Sequence, residues 1–156
     1  MSLDKARKHL KKYNLDKNIL EFEESSATVS EAAKALNCKE EEIGKTLSFL
    51  VSGKPIVVVV AGDAKIDNKK FKEEFKIKSS MIPFNDVEKL IGHGVGGVCP
   101  FGVNEGVEVY LDVSLKKLKV VYPASGSSNS AVKLTLKELE EASEFLRWVD
   151  ICKWKK

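Results

Sequence analysis

A chain of 156 residues has room for one domain with one sizeable core, and 43% hydrophobic with 31% charged residues is the composition of a soluble globular protein. A net charge of +3 is too small to argue for DNA binding, and no apolar run approaches the roughly 18 residues of a membrane helix. Three cysteines without Cys-x-x-Cys spacing, behind a start (Met1-Ser2-Leu3-Asp4-Lys5) that lacks a signal peptide's apolar core, point to reduced thiols and a cytoplasmic protein.

Leu3 to Tyr13 has helical spacing, and Ile19 to Phe22 is a short strand candidate. Thr28-Val29-Ser30-Glu31 fits a capping box, opening a helix that ends near Asn37. Alternation from Ile43 to Val51 puts Ile43, Lys45, Leu47, Phe49 and Val51 on one face. Lys45 therefore shares its face with four large apolar residues. It must reach the edge, pair with a carboxylate or point into a polar pocket, and periodicity does not choose among these.

After the turn Ser52-Gly53-Lys54-Pro55, the run Ile56 to Ala61 is apolar throughout, the mark of a central strand covered on both faces. With its predecessor it makes an antiparallel hairpin. Asp67 caps a helix through Phe71 and Phe75, and Lys78 to Ile82 is a further strand candidate. Asn85-Asp86-Val87-Glu88 has the form of a second capping box, before a short helix that ends at Gly92. Val107 to Asp112 alternates as a strand, as does Lys119 to Tyr122. A polar turn, Pro123 to Ser130, leads to a return strand, Ala131 to Thr135. Thr135-Leu136-Lys137-Glu138 caps a last helix to about Ala142, and Arg147 to Cys152 is a terminal strand. No repeat or linker interrupts the chain, so residues 1–156 form a single α+β domain with a largely antiparallel or mixed sheet.

Between the short helix and the Val107 strand lies Gly92-His93-Gly94-Val95-Gly96-Gly97-Val98-Cys99-Pro100-Phe101-Gly102, with five of the ten glycines. Such a run is either a mobile surface loop or bare backbone offered to a ligand. The interleaved Val95, Val98, Cys99 and Phe101, with Pro100 stiffening the exit, favour the ligand site. The loop does not end in Gly-Lys-Ser/Thr and does not open a helix, which excludes phosphate-loop and dinucleotide fingerprints. His9 and His93 are far apart and no Cys/His pair has ligand spacing, so no metal and no cofactor are expected. His93 is a possible general base, though a single loop histidine is more often incidental. Cys99 is the one tempting nucleophile, but it reads more simply as a small buried hydrophobe. Asp112 is either a partner for Lys45 or an exposed strand end, and the Ser125–Ser130 hydroxyls either line a pocket or are ordinary turn residues. The lysine clusters Lys5–Lys12 and Lys65–Lys78 are either solvated faces or a phosphate-backbone contact.

Taken together, Thr28-Val29-Ser30-Glu31-Ala32-Ala33, Ile43-Gly44-Lys45-Thr46-Leu47, Val59-Val60-Ala61-Gly62-Asp63, Gly96-x-x-x-Pro100 continuing to Phe101-Gly102, Val109-Tyr110-Leu111-Asp112 and the Ser/Gly turn before Ala131 resemble the YbaK/prolyl-tRNA synthetase-associated domain family, in order and over nearly the whole chain. The resemblance implies a compact, barrel-like mixed sheet with helices around it. It also implies an aminoacyl-tRNA deacylase that edits mischarged tRNA in trans, tRNA(Pro) or a related tRNA. Lys45 would hold the 3′-terminal nucleotide or its phosphate. The backbone from Gly96 through Gly97, Val98 and Cys99 to Pro100 would grip the aminoacyl group, with Lys45, Gly96 and Pro100 as the catalytic set. Thr28, Thr46, Asp112, Ser127, Ser128, Asn129 and Ser130 would bind substrate, and Phe22, Ser48 and Cys99 would shape the pocket. A bound water or a substrate group would make the attack. The expected partners are the acceptor end of aminoacyl-tRNA and an aminoacyl-tRNA synthetase, with neither membrane nor DNA, and the expected state is a monomer or weak dimer. The rivals are a binding module of the same fold that holds nucleotide or tRNA without cleaving it, and a cysteine hydrolase built on Cys99.

Overall fold

The computed structural model describes residues 2–23 and 28–154. Five helices surround a curled mixed sheet, an α+β architecture. The helices are α1 (Ser2–Lys11), α2 (Val29–Leu36), α3 (Asn68–Phe75), α4 (Val87–Ile91) and α5 (Leu136–Ser143). The strands are β1 (Ile19–Glu21), β2 (Ile43–Val51), β3 (Lys54–Ala61), β4 (Ala64–Ile66), β5 (Glu108–Asp112), β6 (Val120–Pro123), β7 (Ser130–Val132), β8 (Leu134–Thr135), β9 (Trp148–Val149) and β10 (Cys152–Trp154). No helix among the described residues is long and apolar enough to cross a membrane.

The main sheet has the order β8-β6-β2-β3-β5-β9. Its spine is the β2–β3 hairpin, antiparallel in register from Gly44 opposite Ala61 to Val51 opposite Lys54. The outer pairings β2–β6, β3–β5 and β5–β9 are parallel. With β6–β8 and the two small sheets, β1–β7 and β4–β10, antiparallel pairings are four of seven. Val57 to Ala61 on β3 are wholly buried, as the unbroken apolar run requires of a strand covered on both faces. Each such valine contributes about 1.5–3 kcal/mol of burial. Phe49, Phe71, Phe101, Leu111, Leu139 and Ile151 fill the main core around it.

The helix caps follow the local sequence at three of four places. Thr28 and Glu31 form a reciprocal capping box, as do Thr135 and Glu138. Asp67 accepts from the N–H groups of Lys69 and Lys70. The fourth differs: a single 3-10 turn, Phe84–Asp86, runs straight into α4, and no side chain caps it. Residues 78–82 are also not a full strand. They touch β2 through one bridge, Met81 opposite Phe49, and through Leu50 N–H to Ser80 O and Ile82 N–H to Ser48 O. Two strands read as single pieces are divided. Residues 147–152 turn between β9, on β5, and β10, on β4, while 131–135 divides into β7 and β8. Each half finds a different partner, which alternation within one strand cannot reveal.

Gly62, just after β3, lies so close to the Glu40 carbonyl that an added Cβ would stand 2.1 Å from its oxygen. Both groups are backbone, so the clash cannot be relieved by a rotamer change. Gly62→Ala should lower stability by about 1–3 kcal/mol, as overpacking does elsewhere. A urea titration with an unchanged midpoint would refute this reading of the contact.

Candidate functional site

The first two-thirds of β2 face a cavity of about 360 Å³, within the ordinary range for small-molecule sites. Ile43 to Ser48 form one wall, and Thr28, Val29 and Ala32 from the start of α2 form another. Met81, Ile82, Phe84 and Val87 close a third side, and Val95, Gly96 and Val98 bring in the glycine loop. Tyr122, Ala124, Ser130 and Ala131, from β6 to β7, complete it. The lining is mostly apolar with a few polar groups, the usual composition of a site that holds a small organic moiety in a fixed orientation.

Lys45 stands on this wall, half-buried, its Nζ donating to the Ala64 carbonyl at 3.0 Å. Burial holds its pKa below the ordinary lysine value. The main chain thus satisfies one of the ammonium's three donors, and among the described residues no carboxylate neutralises it in a direct ion pair. This resolves the alternatives left by alternation: neither the strand edge nor Asp112 holds the group. Next to it, the Thr46 hydroxyl is buried without a hydrogen-bond partner and also belongs to a cavity-lining residue.

The glycine loop is fastened, not slack. Its N-terminal end is held by Asn104, whose N–H donates to Ile91 O and whose Nδ2 donates to Lys89 O. His93 is fully buried, with Nε2 2.6 Å from Phe101 O, so the ring bridges the two ends of the loop. Gly96 has φ +93°, open to glycine and strained for other residues. Gly97 packs on the hydroxyl turn, where a Cβ would stand 2.5 Å from the Gly126–Ser127 peptide. Two segments some thirty residues apart therefore meet backbone to backbone beside the cavity.

The hydroxyl turn is equally tied down. Ser127 Oγ donates to Asn129 Oδ1 and shares a hydrogen bond with Ser130 Oγ, while Asn129 Nδ2 donates to Phe22 O and Phe22 N–H to Asn129 O. Only Ser130 of this group reaches the cavity wall.

Of the residues singled out in the sequence, Thr28, Lys45, Thr46, Gly96, Val98 and Ser130 line the cavity, together with Ser48. Gly97, Cys99, Pro100, Ser127, Ser128, Asn129 and Phe22 are not among the lining residues. Asp112 has another task altogether. Its carboxylate is fully buried, Oδ2 accepting from Ser114 N–H and Oδ1 from Ile151 N–H, both at 2.8 Å. It is the cap that turns β5 into a 3-10 helix, Val113–Lys117, and it anchors the chain between β9 and β10. Cys99 is likewise withdrawn. It is fully buried and its thiol pKa is pushed up to about 12, the wrong direction for a nucleophile. His93 does lie beside it, Nε2 3.5 Å from Sγ, a neighbour that sequence spacing did not suggest. Burial lowers the imidazole pKa as well, so both groups rest in their neutral forms. Sequence reading missed the apolar contributors Met81, Phe84, Val87 and Tyr122. The isolated Met81 and Phe84 between charged stretches were the available signal.

The aminoacyl-tRNA editing domain profile matches residues 23–142. The uncharacterized protein YwhH of Bacillus subtilis (strain 168) is 49% identical over 154 residues, 98% of each chain. A proline–tRNA ligase of Streptococcus suis (strain 05ZYH33) is 30% identical over 97 residues, 59% of this chain and 15% of the ligase. The chain therefore corresponds to a small part of such ligases. Among solved structures, a candidate trans-editing enzyme for prolyl tRNA synthetase superposes with a TM-score of 0.87 at 25% identity, covering 97% of both chains.

Two predictions follow from the geometry around the cavity. Asp112→Ala leaves two buried N–H groups without acceptors, at about 1–3 kcal/mol each, so the variant should be markedly less stable. A variant of wild-type stability that instead binds ligand poorly would return Asp112 to the binding surface. For His93, the folded-state pKa lies below the ordinary 6.5, with burial the main cause and Lys5 and His9 adding to it. Its neutral form therefore supports the fold fully above pH 6.5, and that support is lost as the pH falls below 6.5 toward the lowered value. Urea midpoints should drop more steeply across this range in the wild type than in His93→Gln. Parallel profiles would show that another group carries the acid sensitivity.

Proposed function

Because the chain belongs to the aminoacyl-tRNA editing domain family, we propose that it is an aminoacyl-tRNA deacylase acting in trans on mischarged tRNA. The observation that carries this reading is half-buried Lys45 among the residues lining a mostly apolar cavity, beside a glycine loop. An aminoacyl ester on a tRNA end needs this combination: apolar space for the amino acid, peptide N–H groups for the ester carbonyl and a cation for the adjoining nucleotide.

In the proposed reaction a water oxygen adds to the ester carbonyl, and the acyl carbon–oxygen bond then breaks. The products are a free amino acid and a tRNA with its terminal ribose hydroxyl restored. Lys45 holds the terminal nucleotide or its phosphate with the donors not used by Ala64. The peptide N–H groups of Gly96 and Val98, the loop residues that line the cavity with Val95, face the oxygen on which charge develops. The rigid peptide of Pro100 fixes their direction, while the Thr46 and Ser130 hydroxyls orient the aminoacyl group. With Cys99 buried and protonated, positioning of water against the ester supplies the rate enhancement, in place of a covalent intermediate. The sharing of this domain with proline–tRNA ligases makes tRNA(Pro) the first tRNA to test. The burial of Cys99 and His93 also favours a second reading, a module that holds the charged end without cleaving it.

Loss of label from tRNA(Pro) and other tRNAs charged with Ala, Cys, Ser or Thr separates the two. Wild-type protein should cleave one or two of them, Lys45→Ala should lose at least about a hundred-fold in rate, in the range of a lost electrostatic contact to the transition state, and Cys99→Ala should keep its rate. Undiminished cleavage by Lys45→Ala would remove its assigned role, and saturable tRNA binding without any cleavage would favour the module.

A further inference from the structure

Five large apolar side chains are exposed among the described residues, and three of them, Met81, Phe84 and Val95, belong to the cavity lining. Phe84 is the extreme case at 73% exposure. It is not on a slack segment. Ile82 before it and Val87 after it are buried in a common apolar cluster. Ile82 N–H donates to Ser48 O, and Asp86 N–H closes the turn onto Pro83 O. The turn is thus anchored on both sides and presents an aromatic ring to solvent where the cavity opens.

We infer that Phe84, flanked by Met81 and Val95, is a stacking platform for the terminal base of the tRNA acceptor strand. This rests on the proposed function, because the aminoacyl group in the cavity is joined directly to the terminal nucleoside. That nucleoside must lie where the substrate leaves the cavity, and its base is the one flat, weakly hydrated surface it carries. Unpaired bases stack on exposed aromatic side chains with little regard to sequence. The charges around the turn agree with a base and not a phosphate at this spot. Asp86 and Glu88 follow Phe84 and outnumber the single exposed Lys89 there, whereas exposed Lys76 and Lys78 lie upstream and Lys45 is among the cavity-lining residues. The platform holds the base, and the lysines are left to the backbone.

The test uses the full chain and an uncharged acceptor-stem RNA with 2-aminopurine as its 3′-terminal base, beside the same RNA lacking that nucleotide. Wild-type protein should alter the 2-aminopurine fluorescence on binding. Phe84→Ala should bind the complete RNA about ten-fold or more weakly, as loss of one stacked base does, and should lose the fluorescence change. Phe84→Trp should retain both, and all three proteins should bind the shortened RNA alike. Deacylation by the wild type together with equal affinity and equal fluorescence change in Phe84→Ala would overturn the platform while sparing the proposed function. A wild type that neither binds nor deacylates would overturn both. A loss of self-association in Phe84→Ala, with RNA binding unchanged, would show that the ring serves a second copy of the chain and overturn the platform.

Discussion

The antiparallel union of β2 with β3 is the constraint on which the cavity depends. β3 is wholly buried from Val57 to Ala61, so it has no freedom to slide or turn, and a one-residue slip would reverse every side chain in its partner. β2 is held against it over eight residue pairs but is only partly covered itself, with Lys45, Thr46 and Leu47 half-buried. One strand is therefore rigid because of burial, and its neighbour borrows that rigidity while keeping a face open. A lysine and a hydroxyl placed on such a strand are positioned more sharply than they could be on a loop, which suits a site that works by orientation.

The glycines act on the opposite wall by a different means. Their service is less freedom of motion than freedom from side chains. Gly97 lets the loop lie directly on the Gly126–Ser127 peptide, and Gly62 lets the end of β3 lie on the Glu40 carbonyl. Behind these contacts, buried His93 joins the loop's two ends through Phe101 O, and Asn129 ties the hydroxyl turn to Phe22. Each loop is held from behind by polar contacts and touched from in front by bare backbone. The exposed part, around Val95 and Gly96, is small and already fixed in direction.

What the sequence shows of this arrangement follows the range of each signal. Local signals were legible: the capping boxes at Thr28 and Thr135, the Asp67 cap and the doubly covered run of β3 are set by neighbours within a few residues. Alternation brought Lys45 to notice and glycine content the loop from Gly92 to Gly102, and the family pattern then gave both a role. Contacts across the fold were not legible. Asp112 reads as a strand-end carboxylate, yet one of its two acceptors is used by Ile151, thirty-nine positions away. His93 and Cys99 meet because the loop folds back on itself, and no spacing rule encodes that turn. Residues 78–82 read as a strand candidate but have only a fragment of ladder, because a 3-10 turn and α4 take over the chain directly afterwards.

The electrostatics of the site then follow from which groups are left unpaired. Asp112 spends both oxygens on backbone N–H groups, and Cys152, close to both Asp112 and Lys45, is held protonated by burial. Asp112 and the Cys152 thiol beside the lysine are thus withdrawn into structural work, and Asp63, the carboxylate close enough to influence Lys45, is paired with Lys117 at 2.7 Å. Lys45 keeps a neutral carbonyl as its bonded partner. An ammonium in a direct ion pair would have to give up that pair before it could take a substrate anion. One resting on a carbonyl can hold both, so its charge is available to a ligand without a compensating loss. Burial also lowers its pKa, which limits how much further it can be desolvated before the charge itself is lost. A half-buried position satisfies both demands. Under the proposed function it would strengthen the cation's pull on an incoming phosphate while leaving enough solvent contact to keep it a cation.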